Sequence, residues 1–173
     1  YNPERMNFGV LRVLNDDSIA PGRGFGTHPH DNMEIITIPL EGDLKHQDNM
    51  GNGTVIKNGD IQVMSAGTGI SHSEYNLEPK DTNIYQIWIE PNKTGVKPRW
   101  EAKEFPKNHV VDGRLSLLVS GNKGDDDALF IYQDAKIYGG KIKKGMVINH
   151  PIEKQAYLLV ANGRISIDDK VIN

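Results

Sequence analysis

His28-Pro29-His30 and His72-Ser73-Glu74 each place two metal-ligand side chains one residue apart, and about forty residues separate the two words. In a β-strand, residues i and i+2 point to the same face, so each word can aim both of its side chains at one point. Imidazole with carboxylate is the donor set of a catalytic divalent metal. A structural zinc usually asks for thiolates, and this sequence has no cysteine. Neutral imidazoles with a single carboxylate leave a divalent cation with net positive charge, able to attract an anionic oxygen donor or dioxygen.

What precedes each word strengthens the pairing. Gly22, Gly24 and Gly26 let the backbone turn tightly ahead of His28, and Pro29 gives up an amide that an interior strand would need, which favours an edge or barrel-mouth position. Ala66-Gly67-Thr68-Gly69 repeats the arrangement before His72. Either word alone reads as a pair of solvated residues; the repetition points to one shared site. Glu34, four residues beyond His30, is the competing carboxylate, but Glu74 is preferred because it shares a strand face with His72. His46 reads as an ordinary strand residue or a partner behind the ligands, and His109 and His150 read as isolated surface residues.

The elements that must position these residues are short strands. Among 173 residues, 18 glycines and 9 prolines punctuate segments rich in Ile, Val, Leu and Thr, the texture of an all-β protein. Strands are expected at 9–14, 34–40, 44–47, 54–57, 61–64, 71–76 and 84–90, the last with Tyr85, Ile87 and Ile89 on one face. Residues 91–106 read as a connector with one short helical turn near 100–104. A second block follows at 115–119, 129–132, 135–138, 156–160 and 165–167, with Asn162-Gly163 as a hairpin signal between the last two. The run Asp125-Asp126-Asp127 reads as a solvated loop.

Composition narrows the function. A net charge of -3 with scattered lysines and arginines gives no footprint for nucleic acid. No apolar run reaches the roughly 20 residues needed to span a bilayer. The lack of cysteine fits a reducing compartment, so a cytoplasmic location is expected. Dinucleotide, P-loop and nucleophile-elbow motifs are absent. Tyr1 at the start and a strand-like stretch running into Asn173 give the expectation that the sequence is a segment of a longer protein.

A longer pattern surrounds these words. Leu11-Arg12-Val13-Leu14-Asn15-Asp16-Asp17, Gly24-Phe25-Gly26-Thr27-His28-Pro29-His30-Asp31-Asn32-Met33-Glu34, His46-Gln47-Asp48 and the unbroken Met64-Ser65-Ala66-Gly67-Thr68-Gly69-Ile70-Ser71-His72-Ser73-Glu74 together resemble the pirin family of the cupin superfamily. The match is dense from about Phe8 to Glu90 and weak beyond it. It implies a bicupin, two jelly-roll β-barrel modules, the second partial here: residues 1–98 as the metal-binding N-terminal cupin, and 99–173 as connector and partial, degenerate C-terminal cupin. It implies one metal held by His28, His30, His72 and Glu74, most often iron(II), although these ligand types also accept Zn, Mn, Ni or Cu. It further implies a quercetin 2,3-dioxygenase-type reaction, in which a planar phenolic flavonol is opened by O2 and Glu74 takes the proton of the 3-hydroxyl. The competing expectation from the same resemblance is a non-catalytic, iron-binding redox sensor that engages a protein partner, as a transcription co-regulator does.

Overall fold

The computed structural model describes residues 6–172, and all regular structure in them is β. Eight strands build two antiparallel sheets around the predicted words. They are β1 (Leu11–Ile19), β2 (Gly24–His30), β3 (Glu34–Glu41), β4 (Leu44–Asp48), β5 (Gly53–Ile56), β6 (Ile61–Ser65), β7 (Ile70–Tyr75) and β8 (Thr82–Ile89). A ninth, β9 (Arg99–Lys103), completes a five-stranded sheet of order β1-β8-β3-β6-β9, which faces a four-stranded sheet of order β2-β7-β4-β5. Pro29 lies on β2, the edge strand of the second sheet, where its missing amide costs no ladder bond.

The five-stranded sheet is covered on both sides, and its sequence shows why. β6 reads Ile61-Gln62-Val63-Met64-Ser65 and is buried at every position. A one-sided strand would alternate with polar residues; a strand with two covered faces need not. One face carries Ile35, Met64 and Trp88 inward against the four-stranded sheet, together with Ala66 and Ile70. The opposite face carries Ile36, Ile61, Val63, Tyr85, Ile87 and Ile89, and these pack on Leu118, Val119, Leu129 and Ile131 of the following module. Tyr85, Ile87 and Ile89 thus share a face as their alternation predicts, while Gln86 and Trp88 face the site. Burying each such side chain contributes roughly 1.5–3 kcal/mol, so this seam holds the two modules as one body.

The second module is smaller: β10 (Ser116–Ser120) lies between β11 (Leu129–Phe130) and β12 (Lys136–Gly139), and β13 (Ile165–Ile167) pairs with β14 (Lys170–Ile172). It is partial, as expected. Three local expectations differ from the structure. Residues 100–104 form no helical turn; Trp100 and its neighbours form β9, whose register opposite β6 runs from Ile61↔Lys103 to Ser65↔Arg99. Residues 156–160 form no strand, because no neighbouring strand runs alongside them and an isolated strand has no ladder to join. The hairpin turn of this region falls at Asp168-Asp169, both with positive φ (47° and 62°), which joins β13 to β14 in place of Asn162-Gly163. Among the described residues, no helix is long and apolar enough to cross a membrane.

Candidate metal centre

β2 and β7 pair antiparallel, and the register sets His28 opposite His72. A shift in that register between Phe25 and His28 marks a bulge, a device that re-aims the side chains beyond it. The outcome is a tight trio. Ring centroids lie 4.7 Å apart for His28 and His30, 4.5 Å for His28 and His72, and 5.1 Å for His30 and His72. One ring nitrogen from each comes within 4.8 Å of the others.

The hydrogen bonding and burial of these rings suit ligation. His28 Nδ1 lies 2.7 Å from the carbonyl of Gly26. A carbonyl only accepts, so Nδ1 is the donor in that bond, and Nε2 is the nitrogen turned away from it. Burial, with the nearby His28, His30 and His46 adding to it, pushes His72 down to about 3, and burial with His28 beside it pushes His30 down to about 4. Both rings are therefore neutral at pH 7, the form that binds metal. His72 is 1% exposed, and neither of its ring nitrogens has a hydrogen-bond partner among the described residues. An unsatisfied buried polar group costs about 1–3 kcal/mol. A cation between the three rings satisfies it, so the residues present fit a divalent ion.

Glu74 enters from the far end of the same strand face. Its side chain is fully buried and bridges the two sheets: Oε1 accepts from Thr37 Oγ1 (3.2 Å) and Gln62 Nε2 (2.5 Å), and Oε2 accepts from Gln86 Nε2 (2.8 Å). Burial pushes its carboxyl up to about 7 against the pull of those three bonds. Its donor atom groups within 4.8 Å with those of His72 and His46. The donors thus form two sets that share His72, one reaching to His28 and His30 and the other to His46 and Glu74.

His46, expected as a strand residue or a partner behind the ligands, is a member of the second set. It sits opposite Glu74 across the β4–β7 pair, fully buried, with its ring stacked on Trp100 at 5.3 Å and 14°. The available signal was His46-Gln47-Asp48, a third word with the i, i+2 form. Thr37, Gln62 and Gln86 were also missed, and each is a polar residue at a site-facing position between apolar neighbours on its strand. Glu34 lies on the opposite face of β3 from Thr37, toward the second module, where its carboxylate accepts from Ser65 Oγ at 2.7 Å. His150 packs edge-on against Tyr138 in the second module, away from this cluster.

The profile of the pirin family matches residues 1–89, and that of the quercetinase C-terminal cupin domain matches residues 117–173. A Zymomonas mobilis protein that carries a provisional quercetin 2,3-dioxygenase name is 52% identical over 171 residues, covering 98% of this chain and 72% of the relative. Quercetin 2,3-dioxygenase of Escherichia coli is 43% identical over 171 residues, covering 97% of this chain and 72% of its own length. The solved structure of the bacterial pirin YhhW from Escherichia coli in complex with nickel(II) superposes with a TM-score of 0.71 at 45% identity, covering 80% of this chain and 58% of that one. This chain therefore spans less than two thirds of that solved chain.

Proposed function

This chain belongs to the pirin family, and on that premise we propose that His28, His30, His72 and Glu74 hold one divalent metal and that the loaded protein is a dioxygenase opening a flavonol such as quercetin with O2. The carrying observation is the convergence of three imidazoles, His28, His30 and a buried His72 whose two nitrogens have no hydrogen-bond partner among the described residues. Iron(II) is the ion proposed for the working protein, on the redox chemistry of the reaction; nickel(II) is the ion in the Escherichia coli relative. The reaction belongs in a reducing, cytoplasmic setting. Residues 1–98 are the metal-binding cupin and 99–173 the connector and partial, degenerate C-terminal cupin, with β9 of the connector joined to the first module's five-stranded sheet.

A divalent ion at this place supplies Lewis acidity and, when redox-active, a path for electrons between an electron-rich ring and dioxygen. The chain's own residues do the rest. His28, with Nδ1 tied to the Gly26 carbonyl, presents Nε2 in a fixed orientation. Glu74 serves as ligand and as acceptor of the flavonol 3-hydroxyl proton, and the anion so formed spreads its electron density into the ring that O2 attacks. Trp88, edge-on to His30 at 5.1 Å, is an apolar wall beside the ligands and limits water there. The balance is one flavonol and one O2 giving one depside and one carbon monoxide.

The test is oxygen uptake by the iron(II)-loaded protein with quercetin, read together with carbon monoxide release. Equal amounts of both, lost in His72→Ala, are expected. Metal-dependent capture of a protein partner with no oxygen uptake on any flavonol replaces the enzyme with the sensor.

A further inference from the structure

Behind Glu74 the two glutamines are themselves held, each by a tryptophan. Trp100 Nε1 donates to Gln62 Oε1 at 2.9 Å, and Trp88 Nε1 donates to Gln86 Oε1 at 3.1 Å. An indole N–H can only donate. Each amide must therefore turn its carbonyl oxygen to the tryptophan and its NH2 to the carboxylate, and the opposite orientation would set a carbonyl against Glu74. The two chains of bonds come from different strands, β9 through β6 and two positions along β8 itself, and they converge on one carboxylate.

A carboxylate offers about four lone-pair directions, two per oxygen. Thr37 and Gln62 occupy both directions on Oε1, and Gln86 occupies one on Oε2. We propose that Trp88 and Trp100 are positioning residues which, by fixing the two glutamine amides, leave Oε2 of Glu74 with the single open lone pair through which it takes a metal. This rests on the reading of Glu74 as a ligand. It also means that the ligand and proton-acceptor roles of Glu74 alternate on that one lone pair.

The experiment uses the metal-free chain with nickel(II) in competition with a chelator, and cobalt(II) as a spectroscopic probe. Trp88→Phe and Trp100→Phe keep an aromatic ring and remove the donor. Each is expected to weaken nickel(II) binding about 10- to 100-fold, the range seen when the groups supporting metal ligands are lost. Each is also expected to change the visible cobalt(II) spectrum per bound ion, which a change in folding stability alone does not do. Gln86→Met, close in shape and without hydrogen-bonding groups, gives the same readout should a tryptophan variant fail to fold. Wild-type affinity and an unchanged cobalt(II) spectrum in these variants overturn the proposal. Glu74→Ala separates the two ideas. If it binds nickel(II) as wild type does, the ligand reading fails; if it loses binding while the tryptophan variants keep it, only the clamp fails.

Discussion

Asp48 Oδ2 lies 3.3 Å from His46 Nε2, and neither side chain has any exposed surface. The same carboxylate accepts from the amides of Met50 (2.9 Å) and Asn52 (3.0 Å) and from Asn52 Nδ2 (2.7 Å), closing the turn between β4 and β5 around the imidazole. A carboxylate accepts, so His46 Nε2 carries the proton, and Nδ1 is left buried and without a partner. One aspartate thus sets both the end of a strand and the tautomer of a ring beside the metal ligands.

Asp48→Ala is expected to lower stability by about 2–4 kcal/mol, because several donors lose their acceptor at once in a buried place. Urea denaturation followed by circular dichroism measures it. An unchanged midpoint would show that the turn and the ring hold without the carboxylate.

Gly24 allows β2 to lie against β7. A Cβ added there would sit 2.0 Å from the carbonyl oxygen of Glu74 and 2.7 Å from Tyr75 Cα, so Gly24→Ala must push the strand carrying His28 away from the one carrying His72. The expected cost is about 1–3 kcal/mol. Gly53, also in a strand, has nothing within 4 Å of the same position, and Gly53→Ala should stay within about 0.5 kcal/mol of wild type. Thermal denaturation of the pair decides it, and equal shifts would remove steric closeness as the cause.

Both tryptophans, Trp88 and Trp100, belong to the first two sheets, so their fluorescence reports that module alone. Leu129, 1% exposed, belongs to the second and packs on the shared seam. Leu129→Ala should cost about 2–5 kcal/mol and should move the tryptophan transition, since the seam unfolds with the first module. A fluorescence midpoint indifferent to this change would mean that the modules unfold separately.

Glu34 provides a pH dependence of known sign. Burial raises its carboxyl from 4.5 to about 7 in the folded protein, with the Ser65 hydroxyl pulling the other way. The folded state therefore holds this proton more tightly than the unfolded state, and the stability it contributes is complete below pH 4.5 and lost as pH rises to 7. Glu34→Gln keeps an acceptor for Ser65 and removes the titration. In the metal-free protein the variant should match wild type near pH 4 and exceed it by up to about 3 kcal/mol at pH 8. Chemical denaturation at the two pH values tests it, and a variant weaker than wild type at pH 8 would reverse the assignment.

Much of this was readable before the structure because the strands of the first module carry their periodicity in side chains. β3, β6 and β8 are apolar enough to be recognised, and the two metal words lie at the spacing that a strand requires. β2 was harder: Gly24-Phe25-Gly26-Thr27 has little strand propensity, and that segment is extended because it pairs with β7. β9 was misread for the related reason that Trp100-Glu101-Ala102-Lys103 suits a helical turn locally, and only its ladder with β6 makes it a strand. His46 escaped the donor set because its neighbourhood is made across strands, by Glu74 opposite and Trp100 above, which no local window contains. The polar positions inside β3, β6 and β8 were visible, but their meaning depends on facing one carboxylate from three strands.

Calorimetric titration of the metal-free chain with nickel(II), alongside alanine variants of the five candidate donors, tests the metal centre most directly. The expected result is one ion per wild-type chain, binding lost in His28→Ala, His30→Ala, His72→Ala and Glu74→Ala, and binding kept in His46→Ala. Wild-type titration curves from the first four variants, or loss of binding in His46→Ala with Glu74→Ala unaffected, would contradict it.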